Sequence, residues 1–307
     1  MSTTTATRRP SREPRPGRGR RPSPGRRAFQ VINVVVLGGF ALICLIPFLN
    51  IIGSSLATPG ELTRRAFVII PETFTLDAYR YVLSTPTVAR AMGVSAFVTI
   101  VGTFVSLLLT SLMAYGLSKR YLRGRRTINF LVVFTMLFSG GMIPTFIVVK
   151  ELGLIDSLWS LILPVAINAF NLVIMRSFFQ AIPDSLEEAA RIDGCSDLGV
   201  FVRIVLPLSL ASIATIGLFY AVSYWNTYQS AILYINSSEK WPVQILLRQI
   251  VIVATGLNAD ANAVDVVPPA QSIKMAVIVV ATLPMLILYP FIQKYFVKGA
   301  LVGSVKG

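Results

Sequence analysis

The residues of this chain best placed for chemistry form one short run, Glu187-Glu188-Ala189-Ala190-Arg191-Ile192-Asp193-Gly194, followed after nine residues by Ile204-Val205-Leu206-Pro207. Their chemistry suits recognition rather than catalysis. Ser185 and Glu188 have the spacing of a capping box, which predicts a helix starting there with carboxylates near its positive end. Ala189 and Ala190 favour helix and keep its surface low, so that another protein can approach closely. Gly194 can adopt the backbone that ends the helix. A second helix should pass through Val200, Phe201 and Ile204, with Pro207 marking its junction with the next apolar segment. A polar helix–turn–helix over residues 179–207 of an otherwise apolar chain is a surface offered to a soluble partner. An amphipathic helix lying on a membrane has the same periodicity.

Catalytic groups are scarce. The sequence has no histidine, which removes the commonest general base and metal ligand. Cys44 sits in an apolar run and Cys195 in the polar loop, so neither a disulfide nor a metal site is expected, and no catalytic residue is assigned. The chain has no Walker-type phosphate loop and does not itself bind ATP by that route. An ion-driven transporter carries Asp, Glu or His within its spans, and the apolar segments here hold none. An intramembrane enzyme would lack the usual groups for the same reason. The free energy for any transport should therefore come from outside the chain. The alternative, a solute facilitator that needs no ATP, predicts that the loop helix is dispensable.

The elements that must position this loop are membrane helices. The chain is 54% hydrophobic and 14% charged with mean hydropathy +0.69, against about 25% charged for soluble domains. Six segments approach the length of about 20 residues that a span requires: 29–54, 92–117, 128–149, 157–178, 204–226 and 273–293. Ser139-Gly140-Gly141 and Pro144 should break or kink the third. Asn168 and Asn171 in the fourth should hydrogen-bond between helices. The net charge of +14 does not indicate nucleic acid, because the basic residues punctuate spans instead of clustering on one surface. Residues 1–28 form an Arg-, Pro- and Ser-rich segment expected to be a disordered cytoplasmic tail that contacts membrane lipid. With both termini in the cytoplasm, 20 of the 28 Lys and Arg lie on the inner side, the run Lys119–Arg126 being the strongest anchor. Residues 57–91 and 227–272 then lie outside, the latter with a re-entrant or interfacial stretch from Trp241 to Val253.

A second group of residues suits a passing solute. Tyr224, Trp225, Asn226 and Tyr228 at the outer end of the fifth segment, with Asn171 in the fourth, combine aromatic faces for sugar C–H surfaces with amides and hydroxyls for sugar hydroxyls. An aromatic belt at the membrane interface would use the same residues.

Glu188-Ala189-Ala190, Gly194, Ile204 and Leu206-Pro207 resemble, at full spacing, the "EAA" signature of permeases of ABC importers. The stretches Phe138–Thr145, Gly217–Val222 and Gln293–Gly299 are similar to the carbohydrate, maltose-type branch, and closest to lipoprotein-linked and aldouronate-type sugar permeases. The resemblance covers about residues 28–307. It departs at Thr227-Tyr228, where the family often has Asp-Trp or Asp-Tyr. It implies an all-α membrane protein with six transmembrane helices, the type I ABC-importer permease fold (binding-protein-dependent transport inner-membrane component), over 29–307 with a core at about 88–293. It further implies two cytoplasmic ATPases that bind ATP and Mg, a second homologous permease, an extracytoplasmic solute-binding lipoprotein and a sugar-like substrate. In that family the loop helix, here Glu187, Glu188, Ala189, Ala190, Asp193 and Gly194 with Ile204, Leu206 and Pro207 behind it, docks into the ATPase and transmits its closure.

Overall fold

The computed structural model describes residues 24–254 and 271–304, so the basic tail lies mostly outside the described residues, as do parts of the second long loop. The chain divides into Met1–Leu49 and Asn50–Gly307. The first unit holds most of α1 (Pro24–Ser55), whose stretch Phe29–Ser55 has a mean hydropathy of 2.5 and is long enough to cross a bilayer.

The regular elements among the second unit's described residues are all helices. Two short helices, α2 (Pro59–Arg64) and α3 (Asp77–Ser84), lead into α4 (Pro86–Ser118), the longest helix of this unit before its final one. The buried stripe of α4 includes Ala91, Ser95, Thr99, Gly102, Ser106, Thr110 and Ala114, a helical repeat of small and hydroxyl residues. Such residues let helix backbones approach closely where lipid removes the hydrophobic drive for packing. Gly102 is the closest point: an added Cβ would lie 2.8 Å from the Tyr224 ring.

The next three spans are broken rather than straight. Helices α5 (Arg125–Leu137) and α6 (Met142–Glu151) meet at 117° across the Phe138–Gly141 segment. The expected kink at Ser139-Gly140-Gly141 is thus a full change of direction, and residues 128–149 are not one continuous span. Two 3₁₀ turns, Leu158–Leu161 and Leu163–Val165, join α7 (Ala169–Gln180) at 53°. Irregular backbone at membrane depth must find partners within the protein. Two tyrosines of α11 (Leu210–Trp225) provide them: Tyr220 Oη accepts from Asn168 N at 2.9 Å, and Tyr224 Oη donates to Ile162 O at 3.3 Å. The same hydroxyls bond Thr110 and Ser106 of α4, each at 2.7 Å. Asn168 does not bridge helices as expected; its side chain caps α7 by accepting from Asn171 N at 3.1 Å.

Between α7 and α11 lie α8 (Asp184–Ile192), α9 (Asp197–Val200), a π turn at Phe201–Val205 and α10 (Leu206–Leu208), after which the chain bends by 83° into α11. After α11 come α12 (Gln229–Tyr234), α13 (Val243–Ala254) and α14 (Gln271–Ser304). Among the described residues, three uninterrupted helices are long and apolar enough to cross a membrane, six if each bent pair counts as one crossing.

Candidate functional site

The polar loop folds as two short helices whose ends are satisfied locally. α8 begins at Asp184 with Pro183 as its cap, and no side chain caps it. The predicted capping box therefore does not form: Ser185 and Glu188 both lie inside the helix, because the extended backbone of Pro183 starts the helix one residue before Ser185. Asp184 and Glu187 still place negative charge in the first turn, where the helix dipole favours it.

The helix ends in a Schellman motif. Gly194 N–H bonds Arg191 O at 3.0 Å, and Cys195 N–H bonds Ala190 O at 2.9 Å. This geometry needs the left-handed backbone, and Gly194 has φ 84°. Ser196 then caps α9 by accepting from Gly199 N at 3.2 Å. Pro207 lies inside α10, and the junction with α11 falls at Ser209, two residues beyond the expected point. Without an N–H on Pro207 the helical ladder is interrupted, and the preceding turn widens so that Leu206 N–H reaches back to Phe201 O.

The sequence treated Glu187 and Glu188 alike; the fold separates them. Glu187 is buried and salt-bridged to Lys119, the residue that follows α4, itself buried with its ammonium 4.1 Å from the Tyr115 ring centroid. Arg191 extends the network to Asp197 at 3.0 Å and to Tyr121 Oη at 3.3 Å, with Glu187 4.0 Å away. Tyr115 Oη donates to Asp197 O at 3.3 Å, and its ring packs at a tilt against Phe201 with centroids 4.9 Å apart. Lys119, read from sequence as a membrane anchor, is instead committed to this ion pair. Reasoning from sequence missed this pairing and the parts that Tyr115, Tyr121 and Phe201 play beside it; the one available signal was a lysine where a span ends.

The opposite face of α8 is open. Glu188, Ala189, Asp193 and Gly194 are exposed, and so are Leu186 and Ile192, the latter 87% accessible. Ala190 is buried, and Ile204 and Leu206 pack partly against the core. The geometry is a small helix held from behind by ions and aromatics, with an apolar and acidic front.

The second predicted group is dispersed. Asn171 and Tyr224 line one cavity of about 350 Å³ with Asn168, Tyr220 and Ser223. Trp225 does not face an open space: it is buried, with its indole N–H on Ala281 O of α14 at 3.1 Å. Asn226 is exposed at the end of α11 and donates to Val222 O at 2.8 Å. Tyr228 lines a different cavity, at the far end of α11 from the loop. Tyr224 is pinned by Ser106 and Ile162, which makes it first a packing residue.

Residues 106–301 match the family described as binding-protein-dependent transport system inner membrane component. The chain belongs to this family. As a permease subunit it is 63% identical over 92% of its length, and 99% of the relative's, to the polygalacturonan/rhamnogalacturonan transport system permease protein YtcP of Bacillus subtilis. Protein LplC of the same organism is 59% identical over 92% of this chain and 96% of its own. Among solved structures, a bacterial ABC transporter involved in the import of the acidic polysaccharide alginate aligns with a TM-score of 0.81 and 35% identity, covering 89% of this permease and 98% of that chain. The permease is thus a non-catalytic transport subunit of an inner membrane, with the fold that its resemblance implied.

Proposed function

We propose that this permease moves oligosaccharides or related solutes into the cytoplasm, and that the exposed face of α8 is where the driving ATPase docks. The observation carrying this reading is the asymmetry of α8. Its back is bound to the end of α4 through Lys119 and Glu187, while Leu186, Ala189 and Ile192 lie bare at the front. Motion of a docked partner would pass through α8 to α4 and, through Ser209, to α11. Moving a two-state equilibrium from 1:99 to 99:1 takes about 5.5 kcal/mol of differential stabilisation, which ATP bound with Mg by the partner ATPases would supply. The sugar cargo follows the named relatives.

The reading includes a second, homologous permease, two ATPases, an extracytoplasmic binding lipoprotein and both termini in the cytoplasm. Residues 1–28 act as the tail and 29–307 as the transport domain. Asn171 and Tyr224 line the passage, with Asn226 and Tyr228 nearer its outer end; Trp225 serves only to hold α11 against α14.

Mild-detergent purification from the native host tests it. The expected result is a complex with an ATPase, a second permease and a binding protein, and Ile192→Asp should lose the ATPase while keeping the second permease. Transport in ATP-free vesicles, or full ATPase recovery with Ile192→Asp, would overturn it.

A further inference from the structure

At the end of α11 remote from the coupling helix, residues from Tyr228 through α12 to α13 line an open pocket of about 280 Å³. Drug-sized ligands take pockets of about 300–1,000 Å³, so this one has room for roughly a single sugar ring. Ile235 and Ile245 are among its apolar lining, and Tyr228, Trp241, Arg248 and Gln249 supply its chemistry. The guanidinium of Arg248 lies over the Tyr228 ring, 4.6 Å from its centroid.

Two other basic groups at this end are paired. Arg90 faces Glu239 at 3.6 Å, and Lys240 bonds Asp156 at 2.8 Å. Among the described residues no carboxylate reaches Arg248, whose side chain is exposed. An arginine stacked on an aromatic ring keeps its N–H groups in plane and free to grip a carboxylate bidentately. Beside it, aromatic faces suit pyranose C–H surfaces, and the Gln249 amide suits ring hydroxyls. Neutral sugars would offer the guanidinium hydroxyls but no opposite charge to pair with.

We infer that this pocket is a subsite for a uronate unit of an acidic oligosaccharide, with Arg248 as the ligand of its carboxylate. The inference rests on the oligosaccharide-import reading above and narrows its cargo to acidic chains. Relatives named for polygalacturonan and for alginate fit that chemistry without assigning any residue.

The test compares uptake by the complete transporter in native membranes of trigalacturonate, its methyl ester and a neutral xylotriose, each as the ratio of variant to wild type. Using ratios cancels the selectivity of the binding protein. Arg248→Gln should lower trigalacturonate uptake about ten-fold or more, as loss of a charge-assisted pair does. Uptake of the uncharged chains should stay within about two-fold, and Arg248→Lys should recover part of the loss. Equal losses on charged and uncharged chains would mean that Arg248 only supports the fold, and no loss would mean that it touches no carboxylate; either overturns the inference. Wild-type uptake of neutral chains alone also overturns it but leaves the oligosaccharide reading standing, whereas uptake of none of the three removes both.

Discussion

Two carboxylates, Glu187 and Asp156, each tie together segments far apart in sequence, at different ends of the helical bundle, and they do so under opposite conditions. Glu187 is buried and answers Lys119. Asp156 is more accessible and answers a loop: Ser237 N at 2.8 Å, Asn236 N at 3.0 Å, Ser237 Oγ at 2.6 Å and Lys240 Nζ at 2.8 Å. The first is a stiff joint whose charges have left water, so losing either partner is costly. The second is a loop staple in which water can replace any one bond. The part proposed to transmit force has the stiff joint, and the loop at residues 236–240 has the staple.

Removing the lysine is the strongest way to break that contrast. Lys119→Ala should destabilise the permease by about 3 kcal/mol, the low end for a broken buried pair, since Arg191 remains 4.0 Å from Glu187. Thermal unfolding of the purified complex would read it. The double change Lys119→Met with Glu187→Leu should restore most of that stability, because well-packed apolar residues replace buried ion pairs at little cost. A loss no larger than that from Asp156→Ala would erase the distinction.

A smaller effect should come from the end of α8. Gly194→Ala must place a Cβ on a backbone at φ 84°, which costs about 1–2 kcal/mol, although no neighbouring atom would clash. Gly194→Asn, more tolerant of that conformation, should lose less, and Gly194→Asp should uncouple ATP hydrolysis from uptake while insertion continues. Normal coupled uptake by the aspartate variant would remove the lever from the mechanism.

The smallest effect belongs to pH at Asp156. Hydrogen bonds from Lys240 and then Ser237 hold its carboxyl well below the ordinary carboxylate range. A depressed folded-state value means that the staple contributes fully above the unfolded value of about 3.9 and is lost only as pH falls through the lower, folded one. Proteolysis of the 235–240 loop should therefore stay flat from pH 8 to pH 5 in the wild type. Raised cleavage already at pH 5 would show that the staple is weaker than its geometry.

Much of the architecture was legible because it is local. Hydropathy marked the spans, the Ser139–Pro144 sequence marked a break, and the loop motif marked the helix pair α8 and α9. Asn168 and Trp225 were misread for one reason: a polar or aromatic group within a span looks the same whether it caps a helix, bonds a neighbouring carbonyl or faces a solute. The capping box failed similarly, since its spacing was present but Pro183 moved the start of the helix.

The order of residues alone determined the apolar segments, the helix-ending glycine and the family. Tertiary structure alone decided that Glu187 turns inward while Glu188 turns outward, because the partner of Glu187 lies 68 residues away. It also decided that the α11 tyrosines complete the broken span before it and that Arg248 stands without a carboxylate among the described residues. Periodicity is a property of neighbours along the chain. Satisfying a buried charge or an orphaned backbone group depends on what the folded chain brings within about 3 Å.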